Sequence, residues 1–370
     1  MSFDALSFII RHMQTKVIKL DGAADEEAFR EAGELIRRGE LVAFPTETVY
    51  GLGGNGLDPA AAAKIYEAKG RPSDNPLILH IQNVEELAPL VKKIPPQAEM
   101  LMSRFWPGPL TIIFEKSQIV PKETSGGLNT VAVRMPSNRA ARRLIREAGV
   151  PIAAPSANLS GRPSPTSAEH VRKDLDGRIP LILDGGEAQI GLESTIVDVS
   201  GALPEILRPG FIGEKKLREL LGIIKADSPA SGDEKDAPPR APGMKYRHYA
   251  PRAPLMLLKG SDKEIAAFLK QEAALARGQG ESIGALVSRE ALPLYEQENP
   301  GLFLFSLGSR EDQEEIAHRL FALLRDLDDK KISRIYCESL KEEDLGQAIM
   351  NRLKKAAGFR IMDLHSTLSE

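Results

Sequence analysis

The chain of 370 residues has little cysteine and no excess of charge of either sign. Its one cysteine, Cys337, excludes an internal disulfide and fits a reducing compartment. Lysine and arginine total 49 against 52 aspartates and glutamates, which gives a net charge of -3. Nonspecific wrapping of nucleic acid needs a dense positive surface, so this balance disfavours that class of protein and leaves room only for weak, local contact with RNA.

Long hydrophobic runs are also missing. The apolar stretch in the N-terminal MSFDALSFIIRHMQ is too short to span a bilayer, and no basic residues precede it. We therefore interpret residues 1–15 as a leader rather than as an anchor or a signal peptide. The sequence predicts a cytoplasmic chain without membrane contact.

Alternating strand and helix patterns predict an α/β protein of two domains. Over residues 16–225, short apolar strands such as 41–44 alternate with helices, one of which is opened by Asp58 and Pro59. Some neighbouring strands have no helix between them, so we expect a twisted mixed sheet flanked by helices. Thr166 and Glu169 have the spacing of a capping box for a helix over 166–175.

Residues 226–252 interrupt this pattern. Their first part is rich in Pro, Ser, Gly and charge, which is typical of a flexible linker. The last part, PGMKYRHYAP, concentrates two tyrosines, a histidine and two cations, so it either pins the linker to a domain surface or acts as a lid. Residues 253–370 then predict a smaller Rossmann-like α/β domain that lacks a G-x-G-x-x-G dinucleotide motif.

Cations and hydroxyl groups collect where the strands of the first domain end, which is where α/β folds bind ligands. PTETVYGLG (45–53) follows a buried strand and ends in a glycine-rich turn. Lys69 and Arg71 combine a point charge with a planar fork suited to phosphate or carboxylate, although a solvated helix end would also explain them. Arg134 ends an apolar strand, and His80 lies inside another, where a structural role is the local expectation.

Several catalytic motifs are absent from the sequence. It has no G-x-x-x-x-G-K-[ST] loop and no G-x-S-x-G elbow, and its six histidines lack metal-ligand spacing. Without a histidine base or a thiol nucleophile, the strand-end cluster favours binding a polyanion and stabilising charge during its transfer.

Together these motifs resemble the threonylcarbamoyl-AMP synthase family, which is built on the YrdC-like domain. PTETVYGLG, KGRPSDNPLILHI, WPGPLT, TVAVRMP, APSANLSGRPSPT, ESTIVDV and LRPG follow in the family's order. APGMKYRHYAP and the domain after it are similar to the longer, two-domain branch. The resemblance implies a YrdC-like catalytic domain over 16–225, a linker or lid over 226–252, and a C-terminal Rossmann-like domain over 253–370.

The activity that the resemblance implies is a nucleotidyl transfer. L-threonine, bicarbonate or CO2, and ATP would give L-threonylcarbamoyl-AMP and pyrophosphate, for the threonylcarbamoyladenosine modification beside the anticodon of tRNA. A separate threonylcarbamoyl transferase complex would use the product. Mg2+ would accompany ATP, and no organic cofactor is expected.

The resemblance also assigns residues. The family's K-x-R…S-x-N tetrad is matched by Lys69, Arg71, Ser156 and Asn158, of which Lys69 and Arg71 would be catalytic. The implied ATP contacts are Lys69, Arg71, Asn75, Thr130, Ser156, Asn158, Ser164, Arg208 and Tyr246, with Tyr249 as the alternative linker tyrosine. The implied threonine contacts are Thr48, His80, Arg134 and Thr195, and no protein metal ligand is expected.

Two other functions remain alternatives from the sequence alone. One is an RNA-binding module without catalysis, which the near-neutral charge disfavours. The other is a carbamoyltransferase of hydrogenase maturation, which also contains a YrdC-like domain. Those enzymes carry acylphosphatase and zinc-finger-like segments, and this chain lacks the cysteines that such segments need.

Overall fold

The computed structural model describes residues 14–22, 25–226, 239–244, 248–330 and 332–366. The chain divides into two compact units by its internal contacts. The first unit comprises Met1–Ser160 and Ser164–Lys245, and the second comprises Gly161–Pro163 and Tyr246–Glu370. The predicted leader lies outside the described residues except for its last two, of which Thr15 donates a hydrogen bond to the carbonyl of Ile179 (2.7 Å). Tyr246 also lies outside them.

The first unit is built on one ten-stranded sheet. Its strands are β1 (Lys16–Lys19), β2 (Val42–Phe44), β3 (Gly51–Asn55), β4 (Ile78–His80), β5 (Leu110–Glu115), β6 (Thr130–Arg134), β7 (Ile152–Ala153), β8 (Leu181–Asp184), β9 (Thr195–Asp198) and β10 (Glu205–Arg208). They lie in the order β1-β8-β2-β3-β7-β4-β6-β5-β9-β10. The pairs β4–β6 and β5–β9 are parallel, whereas β5–β6 and β9–β10 are antiparallel, so the prediction of a mixed sheet is confirmed.

Helices cover both sides of this sheet. They are α1 (Asp25–Arg37), α2 (Pro59–Lys69), a 3-10 helix (Val84–Leu90), α3 (Pro96–Phe105), α4 (Arg139–Ala148), α5 (Ala168–Leu175) and α6 (Glu214–Leu221). In β2, Val42 and Phe44 join α1 and α4 in one apolar cluster, while Ala43 joins α2, α3 and α5 in the cluster on the other side. This division follows from the alternation of side chains along a strand.

A third apolar cluster lies on the side of β4, β6 and β5 that faces away from α2 and α3. We call this side the front face. It carries Ile78, Ala132 and Ile113, which are direct partners across the strands. Ala241 and Met244 of the linker pack against the same cluster. The described end of the linker therefore lies against the sheet of the first unit.

The second unit contains a five-stranded sheet, as its Rossmann-like pattern predicts. Its strands are β11 (Leu255–Lys259), β12 (Ile283–Ser288), β13 (Phe303–Gly308), β14 (Arg334–Glu338) and β15 (Ile361–Asp363), in the order β13-β12-β14-β11-β15 and all parallel. Its helices are α7 (Asp262–Gly278), α8 (Leu292–Glu298), α9 (Gln313–Asp329), α10 (Leu345–Ala356) and a 3-10 turn (Leu364–Ser366). Ser261 and Glu264 form a capping box at the start of α7.

Two local predictions are wrong. The capping box at Thr166 is displaced, because Ser167 is the N-cap of α5 and accepts a hydrogen bond from the backbone of His170 (3.3 Å). The glycine-rich turn after PTETVY is instead strand β3. A Cβ atom at Gly53 would lie 2.8 Å from side-chain atoms of Ile152 and Phe44, so glycine is required there by close packing rather than by a turn.

None of the helices in the described parts of the chain combines the length and the apolarity that a membrane-spanning segment needs.

The packing of α1 on α4 predicts the effect of a glycine substitution. A Cβ atom at Gly33 would lie 2.8 Å from the backbone of Glu147. Alanine gains about 1 kcal/mol of helix propensity, but overpacking against backbone costs about 1–3 kcal/mol. We therefore expect Gly33→Ala to lower the free energy of unfolding of the first unit, measured in urea by the fluorescence of the single tryptophan, Trp106.

The matched control is Glu34→Ala, at an exposed position of the same helix, for which a change within about 0.5 kcal/mol is expected. Stabilisation by Gly33→Ala would contradict the close approach of the two helices.

Candidate active site

The loop between β2 and β3 joins the other polar loops of the first unit. The carbonyl of Tyr50 accepts a hydrogen bond from the backbone of Ala157 (2.8 Å), and its N–H donates to the carbonyl of Pro165 (2.9 Å). The carbonyl of Thr48 accepts from the N–H of Gly191 (3.0 Å). Three segments that are distant in sequence thus meet around PTETVY, as the recurrence of polar strand ends predicts.

A buried ion pair lies at the centre of this arrangement. Arg134 donates from Nη2 to Oε1 of Glu47 (2.7 Å) and from Nη1 to Oγ1 of Thr48 (2.9 Å). Both charged side chains are about 95% buried, with 5% and 4% exposure. Burial by itself would raise the pKa of Glu47, but the charge and hydrogen bond of Arg134, together with the nearby backbone N–H groups of Glu47 and Ser137, outweigh it and hold that pKa below its usual value. The carboxylate is therefore ionised at neutral pH.

Glu47 is the residue that sequence analysis missed. Its second carboxylate oxygen, Oε2, is buried and has no hydrogen-bond partner among the described residues. The signal in the sequence was a carboxylate between two threonines directly after a buried strand. A buried carboxylate at such a position needs a cationic partner. Arg134, the last residue of β6, is that partner.

The front face continues from Arg134 to its neighbours on the sheet. His80 and Thr111 are the direct partners of Arg134 on β4 and β5, so the three side chains point to the same side. Thr130 lies four residues before Arg134 on β6 and shares that side. The hydroxyl groups of Thr111 and Ser194 are hydrogen-bonded at 2.7 Å.

His80 is held as a neutral ring. Its Nδ1 lies 3.1 Å from the carbonyl of Ile78, which can only accept, so Nδ1 carries the proton. Burial and then the positive charge of Arg134 lower the pKa of His80 to about 3. At neutral pH the imidazole therefore adds a polar wall to the front face but no charge.

Lys69, at the end of α2, points into the protein. Its ammonium donates to the carbonyls of Ser156 and Asn158, each at 2.5 Å, and the residue is 2% exposed. Ser156 in turn donates to Oδ1 of Asn158 (2.5 Å). Three members of the predicted tetrad are therefore in direct contact, and the lysine fixes the backbone of the loop after β7.

Arg71 folds back on its own segment. Its guanidinium donates to the carbonyls of Asn75 (3.3 Å from Nη2) and Pro76 (3.1 Å). Tyr66 also donates to the carbonyl of Asn75 (3.1 Å), and burial raises the pKa of this tyrosine to about 12. Asn75 is 1% exposed, and its side-chain Oδ1 has no hydrogen-bond partner within the described ranges. These hydrogen bonds hold the segment from Arg71 to Pro76 in place. The Oδ1 atom of Asn75 remains as a buried acceptor that a ligand could use.

Ser164 lies on the loop between β7 and α5, and Arg208 is the last residue of β10. Ser164 donates to Oε1 of Glu193 (2.5 Å). Arg208 donates from Nη2 to the carbonyl of Ser194 (2.9 Å) and from Nη1 to the carbonyl of Pro242 (3.2 Å). The arginine is 5% exposed, so it links the β9 loop directly to the linker.

Thr195 has a different environment from the other predicted threonine contacts. Its hydroxyl donates to the carbonyl of Ile212 and accepts from the N–H of the same residue, both at 2.9 Å. These bonds tie the start of β9 to the segment before α6.

Of the two candidate linker tyrosines, only Tyr249 is among the described residues. Tyr246 lies outside the described residues. Tyr249 belongs to the second unit, where its ring lies 5.2 Å from that of Phe321 and the guanidinium of Arg352 is 5.9 Å from its centroid. Tyr249 is 5% exposed and adopts a φ of 64°, a left-handed conformation that is strained for tyrosine. It therefore serves as an anchor in the second unit.

The described residues hold no group of three or more His, Cys, Asp or Glu side chains that could bind a metal ion. Mg2+ that travels with ATP takes most of its ligands from phosphate oxygens and water, so it needs no such group.

Comparison with known proteins identifies relatives along nearly the whole chain. A family model described as Telomere recombination matches residues 34–210, and one described as Threonylcarbamoyl-AMP synthase, C-terminal domain, matches residues 212–358. The Threonylcarbamoyl-AMP synthase of Pyrococcus abyssi is 46% identical over 94% of this chain and 99% of its own length. That of Bacillus subtilis is 45% identical over 92% of this chain and 96% of its own length.

A solved structure gives the same result. The crystal structure of P. abyssi Sua5 complexed with L-threonine matches with a TM-score of 0.87 and 46% identity, and the match covers 94% of this chain and 99% of that one. The fold and the site define an α/β protein of two units, with a buried ion pair and a neutral histidine on the front face of the first. The chain belongs to the threonylcarbamoyl-AMP synthase family.

The environment of His80 predicts a pH dependence of stability. The unfolded chain binds a proton near the ordinary histidine pKa of 6.5, whereas the folded ring stays neutral down to about 3. The free energy of unfolding therefore falls as the pH drops through this window. We expect His80→Gln to show a shallower fall, measured by urea unfolding with Trp106 fluorescence.

The control is His365→Gln, which leaves the buried ring in place and replaces an exposed histidine. Equal slopes for wild type and His80→Gln would show that His80 does not contribute to the acid sensitivity.

Proposed function

We propose that this chain is an L-threonylcarbamoyl-AMP synthase, which condenses L-threonine, bicarbonate or CO2, and ATP into L-threonylcarbamoyl-AMP and pyrophosphate, with water as a further product when bicarbonate is used. The observation that carries the proposal is the buried group of Arg134, Glu47, Thr48 and His80 on the front face. It combines a carboxylate-binding cation, a hydroxyl, a free anionic oxygen and a neutral ring, which suits a small zwitterion. The near full-length relatives that carry this name support the same activity.

In this proposal the amino acid binds between β6 and the PTETVY loop. The guanidinium of Arg134 takes the threonine carboxylate, and the unpaired Oε2 of Glu47 takes its ammonium group. His80 stays neutral beside them, so the positive charge of the arginine remains available to the ligand. The crystal structure of the P. abyssi relative with L-threonine supports threonine as the amino acid.

ATP would bind along the loops that hold the remaining predicted residues. Arg71 is the cation best placed to reach phosphate, because its side chain is half-buried. Its guanidinium donates to backbone carbonyls, and these hydrogen bonds can be replaced by bonds to phosphate oxygens. Lys69 is held inside by two carbonyls and keeps the Ser156–Asn158 loop in shape. The unpaired amide oxygen of Asn75 suits a donor such as an amino group of the base.

The chemistry then needs alignment and charge neutralisation rather than covalent catalysis. The threonine amine attacks CO2 and gives N-carboxythreonine after loss of a proton. That carboxylate attacks the α-phosphorus of ATP, the bond to the β-phosphate oxygen breaks, and pyrophosphate leaves. Mg2+ would enter with the triphosphate and supply charge neutralisation on its oxygens. Delivery to tRNA by a separate transferase complex, weak tRNA contact and a cytoplasmic location stay predictions from the resemblance.

One assay tests the function and the role of Arg71 together. Pyrophosphate release from ATP should require both threonine and bicarbonate in the wild type. Arg71→Ala should lose roughly 2–4 kcal/mol of transition-state stabilisation, about 30- to 1,000-fold in rate. Arg104→Ala, an exposed arginine on α3, is the matched control and should retain wild-type rates. Release that is independent of threonine would reject the function, and a fully active Arg71→Ala would reject the assigned residue.

We further propose that residues 240–244 form part of a lid over the front face. Ala241 and Met244 pack on its apolar cluster, and Arg208 donates to the carbonyl of Pro242. Arg240 pairs with Asp198 (2.6 Å) and Glu205 (2.9 Å). The product is a mixed anhydride, so covering the site would protect it from water.

The lid predicts a loss of product rather than a loss of turnover. The double variant Arg240→Ala/Met244→Ala removes contacts worth about 1 kcal/mol, which raises the open-to-closed ratio roughly fivefold. We expect pyrophosphate release to continue while less intact threonylcarbamoyl-AMP accumulates, measured by chromatography of both products. Arg218→Ala, which breaks an ion pair on α6 of the same unit, is the control. An unchanged product-to-pyrophosphate ratio in the double variant would reject the lid.

A further inference from the structure

The second unit has a charged group where the strands of its parallel sheet end. Arg310, just after β13, donates to both carboxylate oxygens of Asp262, the first residue of α7 (2.5 and 3.2 Å). It also donates to both oxygens of Glu338, the last residue of β14 (3.2 and 3.3 Å). Open α/β sheets bind ligands at this edge, beyond the carboxyl ends of their strands. The proposed function leaves the group without a role.

Negative charge is in excess in this group. One arginine, Arg310, pairs with the two carboxylates of Asp262 and Glu338. The neighbouring Arg289 pairs with Glu315 instead, so it does not correct the balance. Glu338 is 2% exposed, and a carboxylate buried to that degree must keep a cation as its partner.

A buried tyrosine hydroxyl lies beside the same group. Tyr295 of α8 is fully buried, and its Oη atom has no hydrogen-bond partner in the part of the chain that the structure describes. Leu258, the direct strand partner of Glu338, packs in one apolar cluster with Tyr295, so Glu338 and the tyrosine lie on the same side of the sheet. Burial, and then the charges of Glu338 and Asp262, raise the pKa of Tyr295, which indicates that its hydroxyl is within electrostatic reach of both carboxylates.

We propose that this group binds a small primary ammonium ligand, which replaces the side chain of Arg310 between the two carboxylates and also donates to Tyr295. An ammonium carries three N–H donors, and the site offers three acceptor groups, Asp262, Glu338 and the hydroxyl of Tyr295. The guanidinium of Arg310 reaches the two carboxylates but makes no hydrogen bond to Tyr295. A group that could hold a metal ion is absent from the described residues, so an organic cation is the expected class.

The two cations can be exchanged because Arg310 is held by its backbone and is open at its side chain. Its N–H donates to the carboxylate of Glu290 (3.1 Å), which fixes the chain at this point. The side chains of Arg310 and Asp262 are each 37% exposed, so the guanidinium can turn into solvent and a ligand can approach from there. An ammonium keeps Glu338 paired in the bound state, whereas a neutral ligand or an anion would leave it without a cation. The class of ligand therefore follows from the burial of Glu338.

Putrescine is a suitable probe, because it carries primary ammonium groups and has no carboxylate for Arg134 of the first unit. We expect the full chain to bind putrescine in isothermal titration, in an amine-free buffer at constant ionic strength. Tyr295→Phe should weaken this binding about tenfold, which is the loss of one hydrogen bond to a charged group. Arg310→Gln should strengthen it about tenfold, because no resident cation has to be displaced.

The matched control is Tyr336→Phe. Tyr336 is also buried in the second unit, but its hydroxyl donates to Glu272. Its variant should leave putrescine binding unchanged and lower the melting temperature, because a hydrogen bond is lost. Without ligand, Tyr295→Phe should not lower the melting temperature, since its hydroxyl has no partner among the described residues to lose. These opposite results separate a ligand-binding hydroxyl from a structural one.

Several results would overturn the inference. No binding of putrescine at millimolar concentration would do so, as would binding that Tyr295→Phe leaves unchanged. Binding of inorganic phosphate that Tyr295→Phe weakens would overturn the cationic class of the ligand. Weaker putrescine binding by a folded Arg310→Gln would overturn the exchange of cations, and Tyr295→Phe decides the case if the arginine variant does not melt cooperatively. The inference does not rest on the proposed function, because all of its residues belong to the second unit.

Discussion

The site depends on one buried ion pair, Arg134 with Glu47. Removing one member of such a pair leaves an uncompensated buried charge, which costs about 3–5 kcal/mol. The pair joins the end of β6 to the loop after β2, and that loop in turn holds the backbones of Ala157, Pro165 and Gly191. The arrangement of the remaining polar loops therefore follows from where this pair forms. The unpaired oxygen of Glu47 is the feature on which the proposed amino-acid site depends.

The cations of the first unit divide between two tasks. Lys69 and Arg208 donate hydrogen bonds to backbone carbonyls. These carbonyls lie in loops, which have no regular backbone hydrogen bonds of their own, so the two cations hold the loops in shape. Arg134 and Arg71 have the other task in the proposed function, where part of their present contacts is exchanged for a ligand. His80 adds no charge to this group, because burial and the positive charge of Arg134 keep its ring neutral.

The sequence predicted the architecture well where apolar periodicity or a cap marks an element. The end of β6 at Arg134 and the cap of α2 by Asp58 are as expected, because both signals are local. Strand β3 was not predictable from local patterns. Its glycines are required because the side chains of Phe44 and Ile152 pack closely against the strand, and Ile152 is distant in the sequence. The same holds for Glu47 and for Tyr249. Their environments are made by residues far away in sequence, so local patterns give their chemistry but not their partners.

The pairing of β1 with β8 has a consequence for how the first unit is made. Lys16 lies opposite Leu181 in this parallel pair, and Thr15 donates to the carbonyl of Ile179, which follows it by 164 positions in the chain. Domains generally fold in the order in which they leave the ribosome. The Arg134–Glu47 pair can form before β8 has been synthesised, but β1 has no partner strand until then. The first strand to be made is therefore among the last to join the sheet.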